Sequence, residues 1–230
     1  MSEFTLEDKE DLKFVKDELG HLRHAMGDIA SFEVFTQAKF FVFPGGREPT
    51  RQTLGAIGFD AYARAIVDPD SKPTGSNPLR MPLGDFAKIG GRNWQKHIHP
   101  SIRDWAVDDE INETKYAINL PVGEQLMVGL GIATEMQFPL FYWVAPRSGY
   151  ASKGITVANS PGTVDPDYRG EAGALIKNNS KEPFNISHTQ RVVQLLFGIA
   201  MIPELLEVTS HEELSSTKRG AGGFGSTGKR

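Results

Sequence analysis

The first thirty residues carry apolar side chains at helical spacing. Between residues 5 and 30 the intervals alternate between three and four, which predicts one amphipathic helix with a heptad seam. The seam residues are Leu12, Val15, Leu19, Leu22, Met26 and Ile29. The pattern fits a helix packed on the protein's own core and, as the alternative, a helix that self-associates.

Beyond residue 32 the pattern changes to short apolar and β-branched runs punctuated by glycine, proline and asparagine. Such runs predict an all-β sandwich or jelly roll. The expected strands lie near residues 40–43, 125–132, 138–144, 155–157, 172–176, 192–197 and 205–208. Residues 67–115, with five prolines and two tryptophans, break the pattern and are expected to form an insertion with some local structure.

Composition narrows the classes of function. The net charge is −4, so the overall field favours no nucleic-acid partner. The chain has no cysteine, which excludes disulfides, thiol catalysis and thiolate metal sites. No run approaches the ~18 apolar residues of a membrane span. The acidic, polar start is unlike a secretory signal, so we expect a cytoplasmic protein without a membrane partner.

The final segment, residues 219–230, combines glycines with groups that suit a nucleotide. Glycines allow successive N–H groups to turn towards an anion. Arg219 offers a bidentate cation for phosphate, and Ser226 and Thr227 add hydroxyl donors. Phe224 has no local core to join, and its ring suits stacking on a base. We expect a mobile arm that binds a ligand; the alternative is an unstructured linker.

Two further segments carry candidate groups. The first, Pro146-Arg147-Ser148-Gly149, suits phosphate oxygens, although an ordinary surface turn has the same composition. The second, residues 159–171, reads as a β-hairpin around a Pro-Gly turn, whose backbone edges and Asn159 amide would pair with a planar base. In it, Asp165 would orient and deprotonate a water, and Tyr168 would pack beneath a sugar ring.

One aspartate and one pair of histidines are weaker candidates for functional groups. Asp60 stands among apolar residues, and a buried carboxylate must be paired or hydrogen-bonded. His97 and His99 would share one face of a strand, but two ligands without a third make a poor metal site.

Taken in order, five segments resemble the five motifs of the trimeric dUTPase family (dUTP diphosphatases). They are Gly58-Phe59-Asp60-Ala61-Tyr62-Ala63, Pro146-Arg147-Ser148-Gly149, residues 162–171 with the upstream Asn159, Gln190-Arg191-Val192-Val193-Gln194-Leu195, and residues 219–228. The resemblance implies a dUTPase-like jelly roll of the β-clip type. Its core would span 32–66 and 116–218, with an added helix at 1–31, an insertion at 67–115 and a glycine-rich arm at 219–230.

The resemblance also implies the activity. It is the hydrolysis of dUTP to dUMP and diphosphate by Mg²⁺-assisted attack of water on the α-phosphate, which limits uracil in DNA and supplies dUMP for thymidylate synthesis. The assembly implied is a homotrimer whose three sites each borrow from all three chains. It would work in the cytoplasm, or in the host cytoplasm if a phage encodes it.

Residue roles follow from the same resemblance. Asp165 would be the general base, and Tyr168 would pack under the deoxyribose. Uracil would be read by Asn159 and by the backbone of Gly162, Thr163 and Val164. The phosphates would be held by Arg147, Ser148, Gly149 and Gln194, and the arm would close through Arg219, Phe224, Gly225, Ser226 and Thr227. Mg²⁺ would ride on the triphosphate with no direct protein ligand, leaving Asp60 at most an outer-shell partner.

The chain departs from the family motifs at a few positions. Ala61 and Tyr150 stand where Leu is usual, and Thr189-Gln190 stands where Gly-Asp is common. Two alternatives to the hydrolase stay open. A dCTP deaminase shares the fold but needs a glutamate where this chain has Leu175. A non-catalytic or moonlighting regulatory protein would use the helix or the insertion as a surface for a protein partner.

Overall fold

The computed structural model describes residues 37–67, 80–83, 100–108 and 116–222. The predicted helix over 1–31, both histidines of the weak metal interpretation, and Phe224, Gly225, Ser226 and Thr227 lie outside these residues. Described residues up to Ala200 form one unit, and those from Met201 onward form a second.

The first unit is built from β-strands, as the spacing of short apolar runs predicts. In chain order they are β1 (Ala38–Val42), β2 (Gly58–Tyr62), β3 (Ala65–Val67), β4 (Arg80–Pro82), β5 (Ala106–Asp108), β6 (Tyr116–Leu120), β7 (Gln125–Gly129), β8 (Ile132–Met136), β9 (Leu140–Pro146), β10 (Ile155–Val157), β11 (Gly162–Val164), β12 (Gly173–Asn178), β13 (Phe184–Ser187) and β14 (Arg191–Ile199). The helical elements with both bounds in the described ranges are α1 (Ser148–Ala151) and the 3₁₀ helices Pro100–Trp105 and His211–Glu213. None of these has the length or the apolar character needed to cross a bilayer.

The strands form four sheets in which every pairing is antiparallel. The largest have the orders β10-β12-β7-β3-β4 and β11-β9-β14-β2, and smaller sheets pair β1 with β8 and β13-β6-β5. Buried residues alternate along β9 and β12, so each strand presents one face to the interior. Side chains from different sheets, such as Val128, Tyr142 and Ile186, share one core.

The sequence pattern is wrong about strands at two places. The apolar run 125–132 is two strands, because Gly131 adopts a left-handed φ of 73° and turns the chain between β7 and β8. A Cβ at Gly131 would lie 2.8 Å from Gly46 Cα, so the close approach also requires glycine. Residues 205–208 form no strand, and Leu205 and Leu206 are exposed rather than packed on a sheet face.

The described parts of the 67–115 segment extend the core sheets. Strand β4 pairs with β3, and β5 pairs with β6. Leu83 and Ile102 are buried in the common core. These parts therefore contribute to the core rather than standing apart from it.

Candidate active site

One cluster of polar side chains gathers where β9 ends. Arg147 directly follows β9 and caps α1, and its Nε donates to Oδ1 of Asp60 at 2.9 Å. Arg191, the first residue of β14, donates from Nη1 to Oδ2 of the same carboxylate at 3.2 Å. Asp60 is only 8% exposed, so the expectation that this carboxylate is paired is confirmed. We call Asp60, Arg147, Arg191 and Gln194 the Arg147 cluster.

Gln194 joins this cluster through the register of the sheet. It lies opposite Asp60 on β2 and opposite Ala145 on β9. Its Nε2 donates to the carbonyl of Pro146 at 2.9 Å, one residue before Arg147. A Cβ at Gly58 would come within 2.5 Å of the Gln194 Oε1, so Gly58 leaves space for this amide. The second and fourth motifs therefore meet at one place.

Two contacts, one in this cluster and one beside it, were not foreseen from the sequence. Arg191 was not singled out, although its place at the start of the strand beside β2 is the signal that brings it to Asp60. Tyr150 and Gln190, two of the departures from the family motifs, are hydrogen-bonded to each other, with Gln190 Nε2 donating to the Tyr150 hydroxyl at 2.9 Å.

The segment 159–171 differs from its predicted form. It holds the single strand β11, which pairs with β9, followed by a turn in which the Tyr168 N–H donates to the Asp165 carbonyl. The segment is therefore not a two-stranded hairpin, because β11 pairs with the edge of β9 and not with a second strand of the segment. Asn159 stays close to Gly162, with its Nδ2 3.0 Å from a Cβ placed there. We call residues 159–171 the substrate loop from here on.

Tyr168 and Glu171 set the shape of the substrate loop. The Tyr168 ring lies over Gly170, and its hydroxyl donates to the Glu171 carbonyl at 3.2 Å. The Glu171 side chain is buried, accepts the Gly131 N–H at 2.8 Å and forms an ion pair with Arg64 at 3.5 Å. Sequence reasoning missed this role for Glu171, and the signal was an acidic residue directly before a buried strand.

Asp165 and Tyr168 line a cavity of about 340 Å³. The other lining residues are Val67, Met127, Thr163, Val164, Glu171, Ala172 and Gly173. A cavity of this size, largely apolar with a few polar groups at its edge, suits a small organic ligand. Asp165 is exposed at this edge, so its carboxylate is accessible to water.

The Arg147 cluster and Asp165 lie at opposite ends of β9. Gly162 pairs with Val144, and Val164 pairs with Tyr142, so the register carries the substrate loop away from Arg147. Continued by one residue beyond β11, this register puts Asp165 level with Phe141, six residues before Arg147, which is about 20 Å along an extended strand. Within one chain the structure thus brings together Arg147 and Gln194, and separately Asp165 and Tyr168.

The second unit carries Arg219, the one arm residue of the predicted set that is described. Its Nε donates to the Gly222 carbonyl at 2.8 Å, and Gly220 between them has a left-handed φ of 51°. Upstream, Ser210 and Glu213 close the short 3₁₀ helix with a capping box.

No group of three or more carboxylate or imidazole side chains converges in the described ranges. Both oxygens of Asp60 already accept from guanidinium groups, so this carboxylate is poorly placed to ligate a cation directly. Mg²⁺ in such surroundings is commonly carried by substrate phosphates and retained waters.

Comparison with known proteins places these features in a family. The family model described as dUTPase matches residues 113–228. A deoxyuridine 5'-triphosphate nucleotidohydrolase of Nautilia profundicola is 50% identical over 108 residues, covering 46% of this chain and 74% of that protein. One from Anaeromyxobacter sp. is 42% identical over 113 residues, covering 49% and 75%.

Solved structures of dUTPases resemble this chain in fold. The dUTPase of Staphylococcus bacteriophage 80alpha with dUPNHPP superposes with a TM-score of 0.55 at 18% identity, covering 84% of this chain and 99% of that one. The architecture is therefore the all-β jelly roll of dUTPases. Together with the match over residues 113–228, this shows that the chain belongs to the dUTPase family.

Proposed function

We propose that this chain hydrolyses dUTP to dUMP and diphosphate. The observation that carries the proposal is the family match over 113–228, because it spans the substrate loop, the Arg147 turn and the arm. The relatives from Nautilia and Anaeromyxobacter carry this activity in their names. The cavity at the substrate loop and the cationic cluster at Arg147 are the two kinds of site that a nucleoside triphosphate requires.

Asp165 is the proposed general base. Its carboxylate takes a proton from a water, whose oxygen attacks the α-phosphorus. The bond from that phosphorus to the oxygen that bridges to the β-phosphorus breaks, and diphosphate leaves. Bound with the triphosphate, Mg²⁺ would offset its negative charge. The exposure of Asp165 at the cavity edge supports this role, since a base must reach the water at about 3 Å.

Uracil and deoxyribose are proposed to bind at the substrate loop. Asn159 and the backbone of Gly162, Thr163 and Val164 read the polar edge of the base. The Tyr168 ring lies under the sugar, where it leaves no room for a 2′-hydroxyl. Pairing of this kind rejects cytosine, because a mismatched exocyclic amine leaves buried polar groups unpaired.

The phosphates are proposed to bind Arg147, Ser148, Gly149 and Gln194. Gln194 and Arg147 meet at the same turn, which supports a shared ligand. The arm residues Arg219, Phe224, Gly225, Ser226 and Thr227 are proposed to close over the substrate, with the phenyl ring on uracil and the polar groups on the γ-phosphate. Closure of such an arm excludes bulk solvent from the site while the attacking water stays bound.

We also propose a homotrimer with shared sites. A base and the phosphate-binding groups that serve one triphosphate must lie within a few ångströms of it, yet Asp165 and Arg147 of one chain are separated by about 20 Å along β9. A complete site therefore takes Arg147 from one copy and Asp165 from another.

The test uses purified protein with dUTP and, separately, dCTP, followed by assays for diphosphate and for ammonia. We expect diphosphate from dUTP and no ammonia from dCTP. Ammonia would favour a deaminase, and the absence of both products would favour a purely regulatory protein.

Asp165→Asn should bind dUTP and hydrolyse it at least ~10²-fold more slowly. Asp167→Asn is the matched control, since Asp167 is exposed two residues away and does not line the cavity. Equal rates for the two variants would refute the assignment of the base.

A further inference from the structure

Tyr150 lies one helical turn beyond Arg147 and packs against its guanidinium. The Arg147 Cζ is 5.4 Å from the centre of the Tyr150 ring, within the range of a cation–π contact. The Tyr150 N–H also donates to the Arg147 carbonyl at 3.0 Å, so the backbone of α1 fixes the spacing of the two residues.

The Tyr150 ring is itself held from two directions. Gln190 Nε2 donates to its hydroxyl at 2.9 Å, and Phe184 packs against the ring edge with centroids 5.0 Å apart and planes at 73°. Gln190 is anchored in turn, because its Oε1 accepts the Ser187 N–H at 2.8 Å and its carbonyl accepts the Ala63 N–H at 2.8 Å. The ring therefore offers Arg147 a fixed surface.

The remaining contacts of Arg147 define which part of the guanidinium is used. Nε bonds Asp60, and Nη1 donates to the Arg191 carbonyl at 3.1 Å. One edge is thus held by hydrogen bonds and one face by Tyr150. Within the described part of the chain Nη2 has no hydrogen-bond partner at all, which leaves this nitrogen for a ligand.

We infer that Tyr150 and Gln190 are positioning residues for the proposed hydrolysis: Gln190 fixes the Tyr150 ring, and the ring holds the Arg147 guanidinium in the orientation that meets the substrate phosphates. The inference rests on the proposed function, since it takes dUTP as the ligand of Arg147. A contact with Arg147 acts on binding of the phosphates, so its loss raises KM for dUTP more than it lowers kcat.

Four variants test this inference. Tyr150→Leu removes the ring and should raise KM for dUTP about 5- to 30-fold with kcat changed less than threefold, in the range of a lost cation–π contact. Tyr150→Phe keeps the ring and loses the bond from Gln190, so KM should rise only two- to threefold. Gln190→Leu should raise KM at least as much as Tyr150→Phe, since it also removes the acceptor of the Ser187 N–H. The Tyr150→Phe/Gln190→Leu double variant should be no worse than Gln190→Leu alone, because the two changes share the bond between Gln190 and Tyr150.

The controls separate a positioning role from a structural one. Tyr142→Phe removes a buried hydroxyl that is hydrogen-bonded to Thr134 and to no residue of the Arg147 cluster, so it should leave KM at the wild-type value. Inhibition by deoxyuridine, which has no phosphate, should be the same for Tyr150→Leu and wild type. Equal rises in the inhibition constant of deoxyuridine and in KM would overturn the inference, as would a wild-type KM in Tyr150→Leu.

The outcomes also distinguish this inference from the proposed function. Wild-type protein without dUTP hydrolysis would refute the proposed function itself. Active wild type together with additive effects of Tyr150→Phe and Gln190→Leu would refute only the positioning role. Should Tyr150→Leu fail to fold, the comparison of Tyr150→Phe, Gln190→Leu and their double variant still decides the question.

Discussion

At the scale of single residues, two aspartates stand in opposite surroundings. Asp60 is buried, and each of its oxygens accepts from a guanidinium group. Asp165 is exposed at the mouth of a cavity. Asp60 is therefore suited to orient the arginine side chains, and Asp165 is suited to contact a water molecule. Aspartate thus has two different roles in the proposed reaction.

Asp60→Asn keeps the shape of the side chain and removes its charge. We expect kcat/KM for dUTP to fall about 10- to 100-fold, because charge-assisted hydrogen bonds that hold Arg147 and Arg191 are worth about 1.5–3 kcal/mol. Steady-state kinetics and urea unfolding check this. Glu135 forms an exposed ion pair with Lys39 at 2.8 Å, and Glu135→Gln is the control. It should change neither kcat/KM for dUTP nor the free energy of unfolding. Indistinguishable behaviour of the two variants would contradict the role of Asp60.

Tyr142 gives a prediction for alkaline pH. Burial raises the pKa of this phenol to about 12, from an ordinary value of 10.0. The unfolded chain releases the proton near pH 10 and the native protein only near pH 12, so rising pH favours unfolding across this window. Wild type should lose up to about 3 kcal/mol of unfolding free energy by pH 12, of which about 1.4 kcal/mol by pH 11, that Tyr142→Phe does not lose. Urea unfolding at pH 8 and pH 11 measures this, and parallel losses in both proteins would contradict it.

At the scale of elements, the strands that the sequence predicts well are those bounded by turn residues and buried on alternate positions. The run 155–157 matches β10 residue for residue, and 192–197 falls within β14. The run 125–132 is mispredicted because its apolar residues are continuous, and only the left-handed backbone of Gly131 separates β7 from β8. Residues 205–208 have strand composition but no sheet to join in the described structure.

The residues of the candidate site also divide into those that local sequence reveals and those that it does not. Arg147, Asp165 and Tyr168 are recognisable because local turn chemistry and motif spacing mark them. Contacts such as Arg191 with Asp60, or Glu171 with Arg64, depend on strand register and on residues far apart in the chain. Local patterns carry no record of such partners, so the groups proposed to face the ligand can be named from the sequence and those that hold them cannot.

Gly170 in the substrate loop offers a test at this scale. A Cβ there would come 2.4 Å from the Tyr168 hydroxyl, so Gly170→Ala displaces the ring that is proposed to lie under the sugar. We expect KM for dUTP to rise about tenfold, which is about 1.4 kcal/mol. Gly55→Ala is the control, since nothing lies within 4 Å of a Cβ at that position. A wild-type KM in Gly170→Ala would show that the ring has no part in binding.

At the scale of the whole molecule, the separation along β9 determines how activity depends on assembly. One chain presents the Arg147 cluster at one end of this strand and Asp165, the proposed base, near the other. If each site joins the two from different copies, variants with different defects can complement each other.

Co-expression of Arg147→Ala with Asp165→Asn tests this arrangement. Each variant alone should be inactive, but in randomly mixed copies of the proposed trimer about a quarter of the sites should receive both native residues. Diphosphate release by the co-purified mixture measures the recovery. Co-expression of Asp165→Asn with a chain that carries both Arg147→Ala and Asp165→Asn is the control, and it should recover no activity. A mixture of folded variants that stays inactive would mean that both residues of a site come from one chain.

The ion pair between Arg64 and Glu171 also bears on how the protein is made. The two residues are 107 positions apart, and Arg64 joins the substrate loop to Pro44 through its Nε as well. A ribosome adding about 5–20 residues per second delivers Glu171 roughly 5–20 s after Arg64. During that interval the amino-terminal strands are already synthesised while the anchor of the substrate loop is not, so this pocket is completed late in translation.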